Sequence, residues 1–213
     1  MAYGKKVYLC GMKILFIHGL ASSGAYKTAD TLRILFRPCE VVAPDVPVDP
    51  VEALSMLRTL CETIQPDLVV GLSLGGFWAQ KLRGYRKILI NPDFHVSVLL
   101  RTMIGEQPWL SPRRDGAQTF SITSELCDRY ETLEKKEFDE LTDEERALTL
   151  GLFATDDEIV HCADEFESFY PCRLCRYPGK HLPTFLEIKK YMMPLVKIEG
   201  EGQISFTLSR EGN

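Results

Sequence analysis

The run Val69-Val70-Gly71-Leu72-Ser73-Leu74-Gly75-Gly76-Phe77-Trp78 decides how this chain is read. It starts as a continuously apolar strand, passes through Gly-x-Ser-x-Gly and continues into a helical pattern. A buried strand turning sharply into a helix holds the central serine in a strained backbone, the arrangement called a nucleophile elbow. The flanking glycines are needed because side chains there would collide with neighbouring backbone. The turn lifts the Ser73 hydroxyl out of the sheet at a helix N-terminus, where free N–H groups and the helix dipole favour a developing negative charge. Ser73 is the candidate nucleophile.

Outward from this run, short β-like segments recur at 13–18, 40–43, 67–70, 87–90, 148–153 and 172–177, mostly separated by helical patterns at 25–36, 51–64 and 75–83. Strands alternating with helices predict an α/β fold, with a mostly parallel sheet of about six strands and helices on both faces. The interval 95–146 breaks the alternation. Rich in Glu and Asp and helical in pattern, it is expected to form a helical, cap-like insertion after the fourth strand. The 213 residues suit one domain, with a core of 12–195 and possible extensions at 1–11 and 199–213. Met12, directly before the first strand, is a second candidate start.

A net charge of −5 with scattered Lys and Arg argues against a nucleic-acid surface, which needs clustered cations. No run approaches the roughly 20 apolar residues of a membrane span. Lys13 interrupts the only signal-like stretch, and cleavage there would remove the first strand, so a cytoplasmic protein is expected. The seven cysteines form an odd set and read as free thiols of a reducing compartment. Cys172-x-x-Cys175 has a spacing used by redox and zinc sites. It falls in a strand-like run, where residues three apart face opposite sides, and no second ligand pair accompanies it, so no metal site is expected.

The first strand ends in His18-Gly19-Leu20-Ala21-Ser22-Ser23-Gly24, a His-Gly loop that puts backbone amides beside the elbow. Leu20 N–H and Leu74 N–H are the candidate oxyanion-hole donors, with His18 shaping the loop. A nucleophilic serine needs a base and the base an orienting acid, in the chain order Ser, acid, His for an α/β-hydrolase. Of four histidines, His18 sits in the oxyanion loop, His95 follows the fourth strand and His161 is expected to open a helix. Only His181, after Tyr177-Pro178-Gly179-Lys180, has the right order and context. For the acid, Asp156, Asp157 and Glu158 follow the fifth strand, and Asp93 follows the fourth.

With these residues in place the chain resembles the YqiA-type esterases, a small bacterial branch of the α/β-hydrolase superfamily. The resemblance rests on His18-Gly19-Leu20-Ala21-Ser22-Ser23 with Lys27 downstream, Gly71-Leu72-Ser73-Leu74-Gly75-Gly76, Asn91-Pro92, Asp157-Glu158-Ile159-Val160 and Gly179-Lys180-His181, across residues 13–195. It implies a minimal sheet and hydrolysis of small-molecule acyl esters or thioesters, with no metal or other cofactor. It favours Asp157 as the acid, because the family's acid is followed by two residues and then an apolar one, here Val160. Lys180 and the tail 199–213 depart from the family's usual pattern.

Phe94, His95, Leu99, Met103 and Trp109 are candidate acyl-pocket residues, because the insertion starts above the C-terminal edge of the sheet. Two other readings compete. Gly19 to Thr28 resembles a phosphate loop, but its Lys27 stands two residues too far from Gly24. A non-catalytic ligand-binding protein on the same fold would not need an intact Ser73, Asp157 and His181. Oligomeric state is left open.

Overall fold

The computed structural model describes residues 11–199 and 203–207; the expected N-terminal extension, apart from Gly11, and most of the tail lie outside them. Strand and helix alternate through β1 (Lys13–Ile17), α1 (Lys27–Leu35), β2 (Glu40–Val42), α2 (Pro50–Ile64), β3 (Leu68–Leu72), α3 (Leu74–Gln80) and β4 (Lys87–Ile90). An insertion follows: α4 (Val96–Arg101), β5 (Gly105–Pro108), β6 (Thr119–Ile122), α5 (Ser124–Glu134) and α6 (Asp143–Ala147). The alternation resumes with β7 (Thr149–Ala154), α7 (Ala163–Phe169), β8 (Leu174–Tyr177) and α8 (Phe185–Glu187). The last helix runs on through a π turn at Ile188–Met192 and a 3₁₀ turn at Met193–Leu195 into β9 (Val196–Glu199) and β10 (Gln203–Phe206).

The main sheet has the order β2-β1-β3-β4-β7-β8, and every neighbouring pair is parallel. Side chains alternate between its two faces, as strand geometry requires. Ile14, Phe16, Leu68, Val70, Ile88 and Ile90 pack with Ala29 and Leu32 of α1 and with Ile188 and Met192 on one face. Leu15, Ile17, Val69 and Leu89 pack with Ala53 and Leu57 of α2, Phe77 and Trp78 of α3 and Phe166 of α7 on the other. Burial on both faces explains why these strands read as unbroken apolar runs. The chain order reverses between β1 and β3, and in open α/β sheets ligands bind beyond the strands' C-terminal ends at such a point.

The insertion differs from the all-helical expectation. Gly105–Pro108 and Thr119–Ile122 pair as an antiparallel hairpin, beginning at Gly105 with φ +121°. Its connecting loop is tied to the first half of the molecule: Leu110 N–H donates to Ala21 O at 2.7 Å and Arg114 N–H to Asp45 Oδ2 at 2.7 Å. These partners are distant in sequence, so periodicity within the insertion carries no trace of them. Cys172 lies outside the strand expected for it: it precedes β8, exposed and at φ +61°, while Cys175 lies within that strand. His161 does not open a helix either, because Cys162 caps α7. The first part of the tail pairs β10 with β9 and buries Ile204 against the core.

Candidate active site

The backbone at Ser73 has φ +57° and ψ −121°, a conformation that non-glycine residues rarely adopt. The surroundings enforce it. Ser73 N–H donates to Ile90 O at 2.9 Å, and Ser73 O accepts from Gly76 N–H at 2.7 Å. A Cβ on Gly71 would stand 2.2 Å from Gly75 O, and one on Gly75 would stand 2.0 Å from Ile17 O. The two glycines therefore let β1, β3 and α3 meet closely enough to form the elbow.

His181 arrives from the loop after β8. Its Nε2 lies 2.9 Å from Ser73 Oγ and its Nδ1 2.8 Å from Asp157 Oδ2. A carboxylate at Nδ1 selects the tautomer with the proton there, leaving Nε2 to accept from the serine hydroxyl. Asp157 Oδ1 accepts from Ile159 N–H at 2.8 Å and Val160 N–H at 3.0 Å, which aims its other oxygen at the imidazole. Both side chains of this pair are buried.

The rival acids stand elsewhere. Asp93 is buried and accepts from His95 N–H at 2.9 Å, and desolvation pushes its carboxyl above the usual range. Asp156 is exposed, with its backbone N–H on Gly179 O at 3.0 Å, and Glu158 forms an exposed ion pair with Lys180.

The loop after β1 abuts the elbow, where a Cβ on Gly19 would lie 3.3 Å from Ser73 Cβ. Leu20 is half-buried in that loop, and Leu74 is the first residue of α3, where helix geometry leaves the N–H without an intrahelical partner. His18 holds the loop from beneath. Val46 N–H donates to its Nε2 at 3.0 Å, and its Nδ1 lies 2.8 Å from Gly19 O. The imidazole is thus neutral and protonated at Nδ1, and burial drives its pKa down to about 4.

Beside Leu20 and Leu74 opens a narrow cleft lined by Ala21, Val46, Pro47, Val48, Trp78 and Trp109. Of the five expected pocket residues only Trp109 lines this cleft. Phe94 is core, packed edge-on against Phe138; His95 is exposed and paired with Glu165; Leu99 and Met103 are half-buried on the insertion. The apolar Val46-Pro47-Val48 run that lines the cleft follows β2 and so also lies at a strand's C-terminal end. Trp109 is held by the Arg113 guanidinium, 4.1 Å from its ring, while Arg113 Nη1 donates to Val46 O at 3.2 Å.

Asn91 is a further residue that sequence reasoning noted only as part of a family motif. Buried at φ +44°, it links three loops of the site through its side-chain amide. The fold also assembles a group of metal-ligand type where none was expected. His95, Cys162 and Glu165 each offer a donor atom within 4.8 Å of the others. The sequence signal was Cys162-x-x-Glu165 at the start of α7, with His95 more than sixty residues away.

The sheet order, the elbow and the helical layers define an α/β-hydrolase fold. The chain belongs to the uncharacterised protein family UPF0227, the YqiA-type family indicated by its motifs, which matches residues 13–199. Similar solved structures include the esterase domain of a Rhodothermus marinus protein, at 18% identity over 84% of this chain and 80% of that one, with TM-score 0.56. An S-formylglutathione hydrolase from Staphylococcus aureus is 13% identical over 84% of this chain and 79% of that one, with TM-score 0.53. A methylesterase from Arabidopsis is 13% identical over 80% and 91%, with TM-score 0.50. At these identities the likeness is one of fold. No curated protein sequence matches the chain. Among the described residues no helix is long and apolar enough to cross a membrane.

Proposed function

We propose that this protein is a serine esterase or thioesterase working through an acyl-enzyme intermediate. The observation that carries the reading is the continuous path from Ser73 Oγ through both nitrogens of His181 to the Asp157 carboxylate, with steps of 2.9 and 2.8 Å. Ser73 attacks the acyl carbonyl as His181 Nε2 takes its proton. Asp157 keeps the imidazole in the required tautomer and stabilises the imidazolium. The Leu20 and Leu74 amides receive the oxyanion. His181 returns the proton to the leaving alcohol or thiol, and water, activated by the same imidazole, releases the acid. Every proton in this sequence has a donor and an acceptor among these groups, so the chemistry calls for no cofactor.

The cleft beside the oxyanion amides is the acyl site in this reading. Its narrow apolar walls, Trp109 among them, favour short acyl groups. Free cysteines at 39, 61, 127, 162, 172 and 175 fit a reducing compartment, and the cytoplasm is the location they support.

The test is labelling with a fluorophosphonate probe together with a series of esters and acyl thioesters of graded length. The reading requires covalent modification at Ser73 and turnover greatest for short chains. Absence of both labelling and turnover would refute it and favour a ligand-binding role on the same fold.

A further inference from the structure

We propose that His95, Cys162 and Glu165 form a binding site for a zinc-class divalent cation that ties the start of the insertion to the loop carrying Asp157. His95 immediately precedes α4, Cys162 caps α7 and Glu165 lies in that helix's first turn. Their donor atoms lie within 4.8 Å of one another, and His95 Nε2 is 2.8 Å from Glu165 Oε2.

The donor set is one imidazole nitrogen, one sulfur and one carboxylate oxygen. Calcium and magnesium take oxygen ligands, whereas zinc accepts all three types at bond lengths of about 2.0–2.3 Å. Tetrahedral bonds of that length put ligand atoms roughly 3.3–3.8 Å apart. The His95–Glu165 pair therefore has to open slightly and the widest gap to close by about 1 Å. The cluster is built for that adjustment. Cys162 is buried and fixed by its cap position, while the side chains of His95 and Glu165 are 58% and 31% exposed and can move onto an ion. The thiol proton leaves to solvent as the zinc–sulfur contact forms, and water fills the fourth position.

Such an ion would join residue 95 to residues 162–165. The amides of Ile159 and Val160 that hold Asp157 lie only three and two residues before Cys162. The ion stands outside the proton path from Ser73 to Asp157, so its effect is to stabilise the folded chain rather than to supply chemistry.

Chelator-stripped full-length protein titrated with zinc chloride by calorimetry should take up one zinc per chain, with a melting temperature that rises with zinc. Cobalt at the same site should produce a thiolate-to-cobalt charge-transfer band. His95→Gln, a change at an exposed side chain, and Cys162→Ser should each weaken zinc binding by an order of magnitude or more and remove the thermal shift, whereas Cys172→Ser should do neither. No uptake, equal uptake by the His95 and Cys162 variants, or cobalt binding without the charge-transfer band would overturn the assignment. These readouts do not involve turnover, so they are independent of the esterase reading.

Discussion

Asn91 and His181, ninety residues apart, are joined by a 2.7 Å hydrogen bond from the asparagine side-chain amide to the histidine carbonyl. The same amide donates to Tyr177 Oη at 3.1 Å, and Asn91 Oδ1 accepts from Ala154 N–H at 2.7 Å. One side chain at the end of β4 thereby locks the last residue of β7 to the loop that presents the imidazole. Asn91→Ala should lower kcat by about 10²-fold with a smaller change in KM, because a misplacement on the order of 1 Å costs that much. Asn91→Asp keeps the acceptor for Ala154 but loses the donor, and should stay impaired. Steady-state kinetics beside a circular-dichroism melt would check this; full activity in both variants would remove Asn91 from the positioning machinery.

Ser73→Ala should abolish turnover, since losing the nucleophile of such a triad costs on the order of 10⁶ in kcat. Asp157→Asn should cost about 10³ to 10⁴, by destabilising the needed tautomer. Asp93→Asn and Asp156→Asn should remain within about tenfold of the parent, because neither carboxyl engages His181. A larger loss at Asp93 than at Asp157 in the same ester assay would move the acid to the loop after β4.

Trp109 lines the cleft from the insertion, so Trp109→Ala should lengthen the acyl chain that the protein prefers. Pocket contacts of one methylene change kcat/KM by about 10 to 200-fold, and the ratio of long-chain to short-chain kcat/KM should rise by about tenfold or more. An unchanged chain-length profile would place the acyl group elsewhere.

His18 makes stability depend on pH. It titrates near pH 4 when folded, against an ordinary value near 6.5 in the unfolded chain, so at intermediate pH the unfolded state binds the extra proton. Its contribution is complete above pH 6.5 and is lost as pH falls towards 4, a change of about 3 kcal/mol for this shift. Glu137, pushed up to about 8 by burial, titrates in the opposite sense over part of this range, so the measurement compares variants. The stability advantage of the parent over His18→Gln in urea unfolding should shrink steadily from pH 7.5 to 4.5. A constant difference would mean that His18 accepts a proton in the folded state.

Lys87 is fully buried at the start of β4, donating to Glu145 Oε2 at 2.8 Å and Leu82 O at 2.6 Å. Lys87→Met leaves the Glu145 carboxylate buried and without its cation, which should cost about 3–5 kcal/mol. Adding Glu145→Gln should recover much of this, because the buried charge is then gone while Gly84 N–H keeps an acceptor. Denaturant midpoints of the two variants decide the point; equal losses would mean that hydrogen-bond geometry, not charge, sets the cost.

The sequence by itself determined the six strands of the main sheet and the strand-to-helix elbow at Ser73, because both depend on neighbours in the chain. Period-two burial on two faces writes itself as apolar runs, and the elbow needs glycines at fixed offsets that a reader can count. The contact of His181 with Ser73 was legible through chain order and loop context, and that of Asp157 with His181 through the family pattern of the residues after the acid. The tertiary structure alone decided what lies between distant segments. It put Asp93 on His95 N–H and Asp157 on His181, although both follow strands and both are acids. It made Trp109 a wall of the cleft and left Phe94 in the core, by folding a hairpin whose partners at Ala21 and Asp45 lie more than sixty residues away. It brought His95 beside Cys162 and Glu165, and Asn91 beside His181. Each of these is a contact across a long stretch of chain, formed only when the sheet closes its order, and local periodicity carries no record of which loops will then be neighbours.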